Sequence, residues 1–205
     1  MIVIVDYGMG NLGSIQNMIK KAGGTAVISS KIEDIERADK LILPGVGAFD
    51  TGVKNMDQLG LRPVLNQKVL KEKTPTLGIC LGMHLMTRRS EEGTLPGFGW
   101  IDGETVKFRF EGSENHLKIP HMGWNTLQIN QDHRIFEGFG EEASFYFVHS
   151  YHVVCDKDTQ VLARTHYGYD FVSAVHKDNI IGVQFHPEKS HKFGMRMFKN
   201  FIENL

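Results

Sequence analysis

The chain has 205 residues with a formal net charge of −1, 41% hydrophobic and 23% charged residues, 22 glycines and two cysteines. That length suits one domain with ample core, while near-neutral charge and the absence of Lys/Arg runs longer than two argue against nucleic-acid binding. No apolar run approaches the ~20 residues of a membrane span, and two cysteines cannot build a disulfide scaffold.

Ile2–Val5 reads as a buried strand, without a charged leader before it, so a cytoplasmic protein is expected. A Gly-rich turn follows, then Leu12, Ile15, Met18 and Ile19 at helical spacing, ended by Gly23-Gly24. Thr25–Ile28 and Lys40–Leu43 read as the next strands, and Pro44-Gly-Val-Gly47 as a sharp exit from the second of them. A helical region runs from Phe49 to Lys73, broken near Gly60; Thr76–Ile79 is a fourth strand and Leu81–Arg88 its helix. Strands alternating with helices imply right-handed crossovers and a parallel sheet covered on both faces. From Gly93 to Gly103 the chain reads as loop. Strands are then expected at Thr105–Phe108, Thr126–Ile129, Phe145–Val148, Val153–Cys155, Val161–Thr165, Phe171–His176 and Ile180–Phe185, their spacing suggesting antiparallel additions. An amphipathic helix over Ser190–Asn204 closes the chain. With no repeat, linker or low-complexity tract, 1–205 is expected to be one domain.

Gly78-Ile-Cys-Leu-Gly82 follows a strand and opens a helix, the form of a nucleophile elbow with Cys80 in place of serine. The helix N-terminus favours thiolate over thiol, and the Leu81 N–H is a donor for a developing oxyanion. His186-Pro-Glu188 follows the last strand. Pro187 disfavours helical dihedrals at His186, so the segment is expected to stay extended and aim His186 and Glu188 at one neighbourhood. Glu188 would then orient the imidazole that serves Cys80. Pro44–Gly47 can present backbone N–H groups as an oxyanion hole, although an ordinary Pro-Gly turn reads the same way.

Other signals are weaker. Gly8-Met-Gly-Asn-Leu-Gly13 is a formal dinucleotide fingerprint, but the next strand ends in Ser29-Ser30-Lys31 where an acidic residue belongs, so a tight turn is the simpler reading. His149 and His152 fall on opposite faces of a strand, and His121, His133 and His166 lack ligand spacing, so no metal site and no cofactor are expected. Arg88-Arg89 with Glu91-Glu92 reads as a solvated helix end, and Cys155 as a core residue.

Together, Gly78–Gly82, Pro44–Gly47 and His186-Pro-Glu-Lys-Ser190 resemble the class I (triad) glutamine amidotransferases. Pro120-His-Met-Gly-Trp-Asn125 and Tyr146-Phe-Val-His-Ser-Tyr151 narrow the likeness to the glutaminase subunits of imidazole glycerol phosphate synthases. The resemblance implies a flavodoxin-like α/β fold: a mostly parallel sheet, helices on both faces and additional antiparallel strands. It implies Cys80 as nucleophile, His186 as acid/base and Glu188 as orienting residue, with the oxyanion strand at Gly45, Val46 and Gly47. L-glutamine contacts map to Gly45, Glu92, His149, Ser150 and Leu81. It further implies a (β/α)8 barrel synthase as heterodimer partner, receiving the ammonia, with a docking face at Asn11, Trp124, Asn125, Tyr146 and Lys189. One position departs: the family usually has Gln where this chain has His84. If His84 holds glutamine in its place, binding should follow imidazole protonation between about pH 5.5 and 7.5. Three alternatives remain open: a paralogous glutaminase feeding a sugar-modifying synthase for surface polysaccharide, a catalytically silent interaction subunit, and a dinucleotide-binding module using Gly8–Gly13.

Overall fold

The computed structural model describes residues 1–112 and 116–205. In chain order it has β1 (Ile2–Val5), α1 (Leu12–Lys21), β2 (Ala26–Ser29), α2 (Ile32–Glu36), β3 (Lys40–Leu43), α3 (Phe49–Gln58), α4 (Leu61–Asn66), β4 (Thr76–Ile79) and α5 (Leu81–Leu85). There follow β5 (Gly103–Lys107), β6 (His121–Thr126), β7 (Gln128–Ile129), β8 (Ser144–His149), β9 (Tyr151–Cys155), β10 (Val161–Tyr167), β11 (Tyr169–Lys177), β12 (Ile180–Val183) and α6 (His191–Asn204).

The described residues form a ten-stranded sheet whose main path runs β2-β1-β3-β4-β12-β11-β10-β7. Pairing is parallel from β2 through β12 and antiparallel beyond, as the resemblance implied. Because strand side chains alternate, Ile2 and Ile4 face one core and Val3 and Val5 the other. The first core is closed by α1 and α6 through Ile15, Ile19, Met197, Phe198 and Phe201; the second by α2 to α5 through Ile35, Phe49, Val53, Leu61 and Leu85. β6 pairs with β8 in a separate two-stranded ribbon, the register setting His121 opposite His149 and Trp124 opposite Tyr146. No helix among the described residues is long and apolar enough to cross a membrane.

Sequence and structure differ in several places, among them the end of the last strand, which stops at Val183 rather than Phe185. The five-residue α2 is too short to show a helical period. The helix after Cys80 ends at Leu85 rather than Arg88, where the Thr87 hydroxyl and N–H both turn back to the His84 carbonyl. The single strand expected over Thr126–Ile129 is instead the end of β6, which runs His121–Thr126, and the short β7 at Gln128–Ile129. Arg88, Arg89, Glu91 and Glu92 are exposed, as expected, but they lie beyond the end of α5, with Arg88 paired to Asp156, Arg89 to Glu104 and Glu91 to Arg109.

The Gly8–Gly13 turn is a packing device. A Cβ at Gly10 would lie 3.1 Å from the Pro44 Cβ, so the loop leaving β1 is pressed on the loop leaving β3. A Cβ at Gly13 would meet nothing within 4 Å, so it does not perform the close helix–strand packing of a dinucleotide fingerprint. Gly82 is the opposite case: its Cβ would sit 1.9 Å from the Leu43 carbonyl oxygen. Gly82→Ala should therefore destabilise by roughly 1–3 kcal/mol, whereas Gly13→Ala should be neutral or stabilising by up to about 1 kcal/mol. Thermal unfolding of the two variants checks this, and equal losses would contradict the packing described.

Candidate active site

Cys80 is the single residue between β4 and α5, with φ 53° and ψ −109°. A non-glycine residue there carries about 1–3 kcal/mol of backbone strain, sustained only where surroundings over-determine it. They do: the Cys80 N–H donates to the Val183 carbonyl at 2.8 Å, and the Cys80 carbonyl accepts from the His84 N–H at 3.2 Å. The residue is 7% exposed and lines a cavity.

Beyond β12 the backbone is extended at His186 (φ −106°, ψ 93°), as the following proline requires. The expected extension through Glu188 is corrected. Pro187 opens a 3-10 turn over Pro187–Lys189, a first-turn position where its missing N–H costs nothing. That turn folds Glu188 back, its Oε1 accepting from His186 Nδ1 at 2.8 Å. Both side chains are almost wholly buried. Burial alone would lower the His186 pKa, but the neighbouring Cys80 and Glu188 outweigh it and raise it to about 10. Since Nδ1 is held by Glu188, Nε2 is the nitrogen left for Cys80; it has no hydrogen bond by geometry, as is common before substrate tightens a site. Ser190 clamps this segment, its hydroxyl donating to the His186 carbonyl at 2.6 Å and accepting from the Tyr146 N–H at 3.0 Å.

The oxyanion donors are differently placed from the sequence expectation. The Leu81 N–H is not free: it donates to the Gly45 carbonyl at 3.4 Å. Fully buried Tyr7 donates its hydroxyl to the Pro44 carbonyl, and burial pushes its pKa far up, so it remains a donor. The segment after β3 thus turns the Gly45 carbonyl toward the elbow. Val46 is 50% exposed and Gly47 has φ +127°; both border the cavity.

That cavity, of about 320 Å³, is also lined by Leu81, His84, Glu92, His149 and Ser150. Glu92 accepts from the Phe49 N–H at 3.0 Å. His84 is 4% exposed, its Nε2 2.8 Å from the Gln184 Oε1, and burial lowers its pKa to about 4. Its ring is therefore neutral across pH 5.5 to 7.5, and the expected titration of glutamine binding through His84 is corrected. A larger hollow of about 690 Å³ over residues 126–141 contains none of the candidate residues.

Sequence spacing missed a histidine pair: the β6–β8 register brings His121 Nδ1 within 2.9 Å of His149 Nε2. The other nitrogen of His149 meets the Tyr151 carbonyl at 2.7 Å, and that of His121 the Asn125 amide at 3.2 Å. No group of three metal-ligating side chains occurs among the described residues. Cys155 is half-buried and pushed up to about 12 by burial, a poor nucleophile.

Of the expected docking residues, Trp124, Tyr146 and Lys189 come together: the Trp124 and Tyr146 rings are 6.3 Å apart and the Lys189 ammonium lies 5.6 Å over the Tyr146 ring. Trp124 is 49% exposed beside exposed Met122. The Asn125 amide is spent on His121 and the His166 carbonyl, and Asn11 is exposed at the head of α1 without capping it. Tyr7, Gln184 and Ser190 were given no role by sequence reasoning; only the position of Gln184 two residues before His186 hinted at one.

Burial lowers the pKa of His84, His121 and His152 to about 4 each. The unfolded chain takes up these protons near pH 6.5 and the folded chain only near 4, so their contribution to stability falls as pH drops through that window, while His186, raised to about 10, adds a contribution that is lost as pH rises above 6.5. Urea unfolding from pH 7.5 to 5 should show that slope, and His84→Gln should lessen it. An unchanged slope would contradict a neutral, buried His84.

The family model described as glutamine amidotransferase class-I matches residues 3–205. Among curated relatives, the chain is 56% identical over 203 residues to "Imidazole glycerol phosphate synthase subunit HisH 2" of Methanococcus maripaludis, covering 99% of each chain. It is 50% identical over 203 residues to the subunit of the same name from Pseudomonas aeruginosa, again covering 99% of each. A crystal structure titled as a glutamine amidotransferase superposes with TM-score 0.72 at 22% identity, covering 99% of this chain and 98% of that one, which speaks to the fold. By a match running from the first strand to the last helix, the chain belongs to the class-I glutamine amidotransferase family.

Proposed function

We propose that the whole chain is one domain serving as the glutaminase subunit of an imidazole glycerol phosphate synthase, working in the cytoplasm in histidine biosynthesis. The observation that carries the reading is the convergence of a buried His186–Glu188 pair on the strained Cys80, which itself lines a cavity large enough for a free amino acid. The identity to subunits bearing that name supports the pathway.

The chemistry follows from the positions. The Cys80 sulfur attacks the side-chain amide carbon of glutamine, forming a C–S bond and placing negative charge on the amide oxygen. Imidazolium His186 gives its Nε2 proton to the departing nitrogen, the C–N bond breaks, and ammonia leaves a glutamyl thioester. Neutral His186 then takes a proton from water, whose oxygen attacks the thioester carbon; the C–S bond breaks, glutamate leaves, and the Cys80 thiolate is regenerated beside imidazolium His186. Glu188 holds Nδ1–H throughout. Glu92, His149 and Ser150 surround the amino-acid end of the substrate, Glu92 offering a carboxylate to its ammonium group.

The Leu81–Gly45 hydrogen bond makes the isolated chain a poor enzyme. For an oxyanion to be met, the Gly45 carbonyl must release the Leu81 N–H and the Val46–Gly47 peptide must turn its own N–H inward. A partner seated on Trp124, Tyr146 and Lys189 would favour that arrangement without adding a catalytic residue. The partner is a (β/α)8 barrel synthase, joined as a heterodimer and receiving the ammonia directly for its own lyase reaction.

Glutamine hydrolysis should accordingly rise about 10²–10³-fold when the barrel subunit and its acceptor substrate are added, the worth of one oxyanion donor. Equal rates with and without it would show a site already assembled. If only a sugar-modifying synthase gives the activation, the acceptor assignment fails and the glutaminase assignment stands. Cys80→Ala should cost several powers of ten in the activated complex while Cys155→Ala costs little. Normal turnover by Cys80→Ala would remove the nucleophile.

A further inference from the structure

The Gln184 side chain is fully buried and lies between two groups that the mechanism leaves unlinked. Its Nε2 is 3.8 Å from the Cys80 sulfur and its Oε1 is 2.8 Å from His84 Nε2. We propose that His84 and Gln184 are positioning residues, a two-step relay that holds an N–H on the Cys80 sulfur and so favours its thiolate. The inference rests on Cys80 being the nucleophile.

The argument is one of donors and acceptors. A primary amide has a donating end and an accepting end, and a thiolate can only accept. The orientation that serves the thiolate turns the Gln184 NH₂ toward sulfur and its oxygen toward His84, which must then donate. A neutral imidazole carries one N–H, and the Gln184 oxygen fixes it on Nε2. Burial keeps that ring neutral, lowering its pKa to about 4, so this preference does not vary with pH near neutrality. Were the amide reversed, its oxygen would face the sulfur and oppose the negative charge. The Nε2–H tautomer of His84 and the Gln184 orientation with its NH₂ toward Cys80 therefore go together.

The backbone supports the placement. Gln184 and His186 lie two residues apart in the bend that leaves β12 and approach the sulfur from the same strand end. The Gln184 N–H donates to the Ser173 carbonyl at 2.9 Å, and His84 is rooted one turn after the elbow by its N–H to the Cys80 carbonyl. Other ionisable groups around the sulfur come from every neighbouring element. Tyr7 lies beyond β1, Glu92 after α5, His149 on β8, and His186 with Glu188 beyond β12. His152 and His149 face His84. Tyr7 stays neutral because its pKa is raised, and His149 and His152 because theirs are lowered, leaving His186 as the main titrating neighbour. His84 thus keeps the donor a glutamine at its position would offer, while its rigid ring spends that donor on Gln184.

The test is the pH dependence of Cys80 alkylation by iodoacetamide in the full chain, with Cys155→Ala as background. Gln184→Met keeps the volume and removes the N–H, and should move the alkylation midpoint up by as much as about one pH unit, the scale of one hydrogen bond to a charged group. His84→Phe should shift it in the same direction by less, and His84→Gln should leave it near the parent. In the Gln184→Met background, His84→Phe should add nothing, because its effect passes through Gln184. Unshifted midpoints in both single variants would overturn the relay, as would additive shifts in the double variant. If Gln184→Met does not fold, the His84→Phe and His84→Gln pair decides: equal midpoints overturn the proposal, and a shift reversed by Gln upholds it. A separate readout guards the underlying reading. Alkylated parent should lose glutaminase activity in the complex with its synthase, and activity that survived full alkylation would remove Cys80 as nucleophile whatever the midpoints did.

Discussion

The close approach of the elbow to the end of β3 is the constraint on which the site depends. Gly82 lets the first turn of α5 press against the Leu43 carbonyl at a distance no Cβ allows. That contact, with the Cys80 N–H held by Val183, fixes the Cys80 sulfur between β3 and β12, the strands that bring the Pro44–Gly47 loop and the His186–Glu188 pair. In a parallel sheet the carboxyl ends of adjacent strands lie side by side, so three segments distant in sequence converge. The strain at Cys80 is supported by the hydrogen bonds on either side of it and by the two cores that sandwich the sheet.

On the proposed mechanism, the same crowding explains why the Leu81 N–H is engaged by the Gly45 carbonyl rather than free for an oxyanion. The Leu81 N–H must find an acceptor when no substrate is present, and the Gly45 carbonyl is the one at hand. Satisfying a buried donor is worth about 1–3 kcal/mol, comparable to one oxyanion contact, so the balance between resting and ready arrangements is within reach of a docking partner. Tyr7 reinforces the resting form by holding the Pro44 carbonyl. On that reading, regulation follows from economy of hydrogen bonding: a donor left free for the oxyanion would be unsatisfied whenever the site stood empty.

Much of this was legible in the sequence. The β1, β3 and β4 limits follow from the residues alone because strands buried on both faces are unbroken apolar runs. Cys80, His186 and Glu188 stood out because the elbow glycines and the proline carry backbone meaning. What failed needed tertiary register or a choice between two acceptable conformations. Nothing in Pro44–Gly47 says which way its peptides point. The approach of His121 to His149 depends on a β6–β8 pairing that His121–Thr126, lacking an alternating apolar pattern, does not announce. His84 departed from its family visibly, yet that its ring is buried against Gln184 rather than free to titrate follows only from packing around α5.

The central claim is that a covalent glutamyl thioester forms on Cys80 and that the partner governs its formation through the oxyanion strand. Rapid acid quench of the complex turning over labelled glutamine, followed by peptide mapping, tests it most directly. The account predicts label on the peptide containing Cys80 when the barrel synthase and its acceptor are present, and far slower labelling of the chain alone. Turnover with no label on that peptide under conditions that preserve thioesters, or label on Cys155, would contradict it.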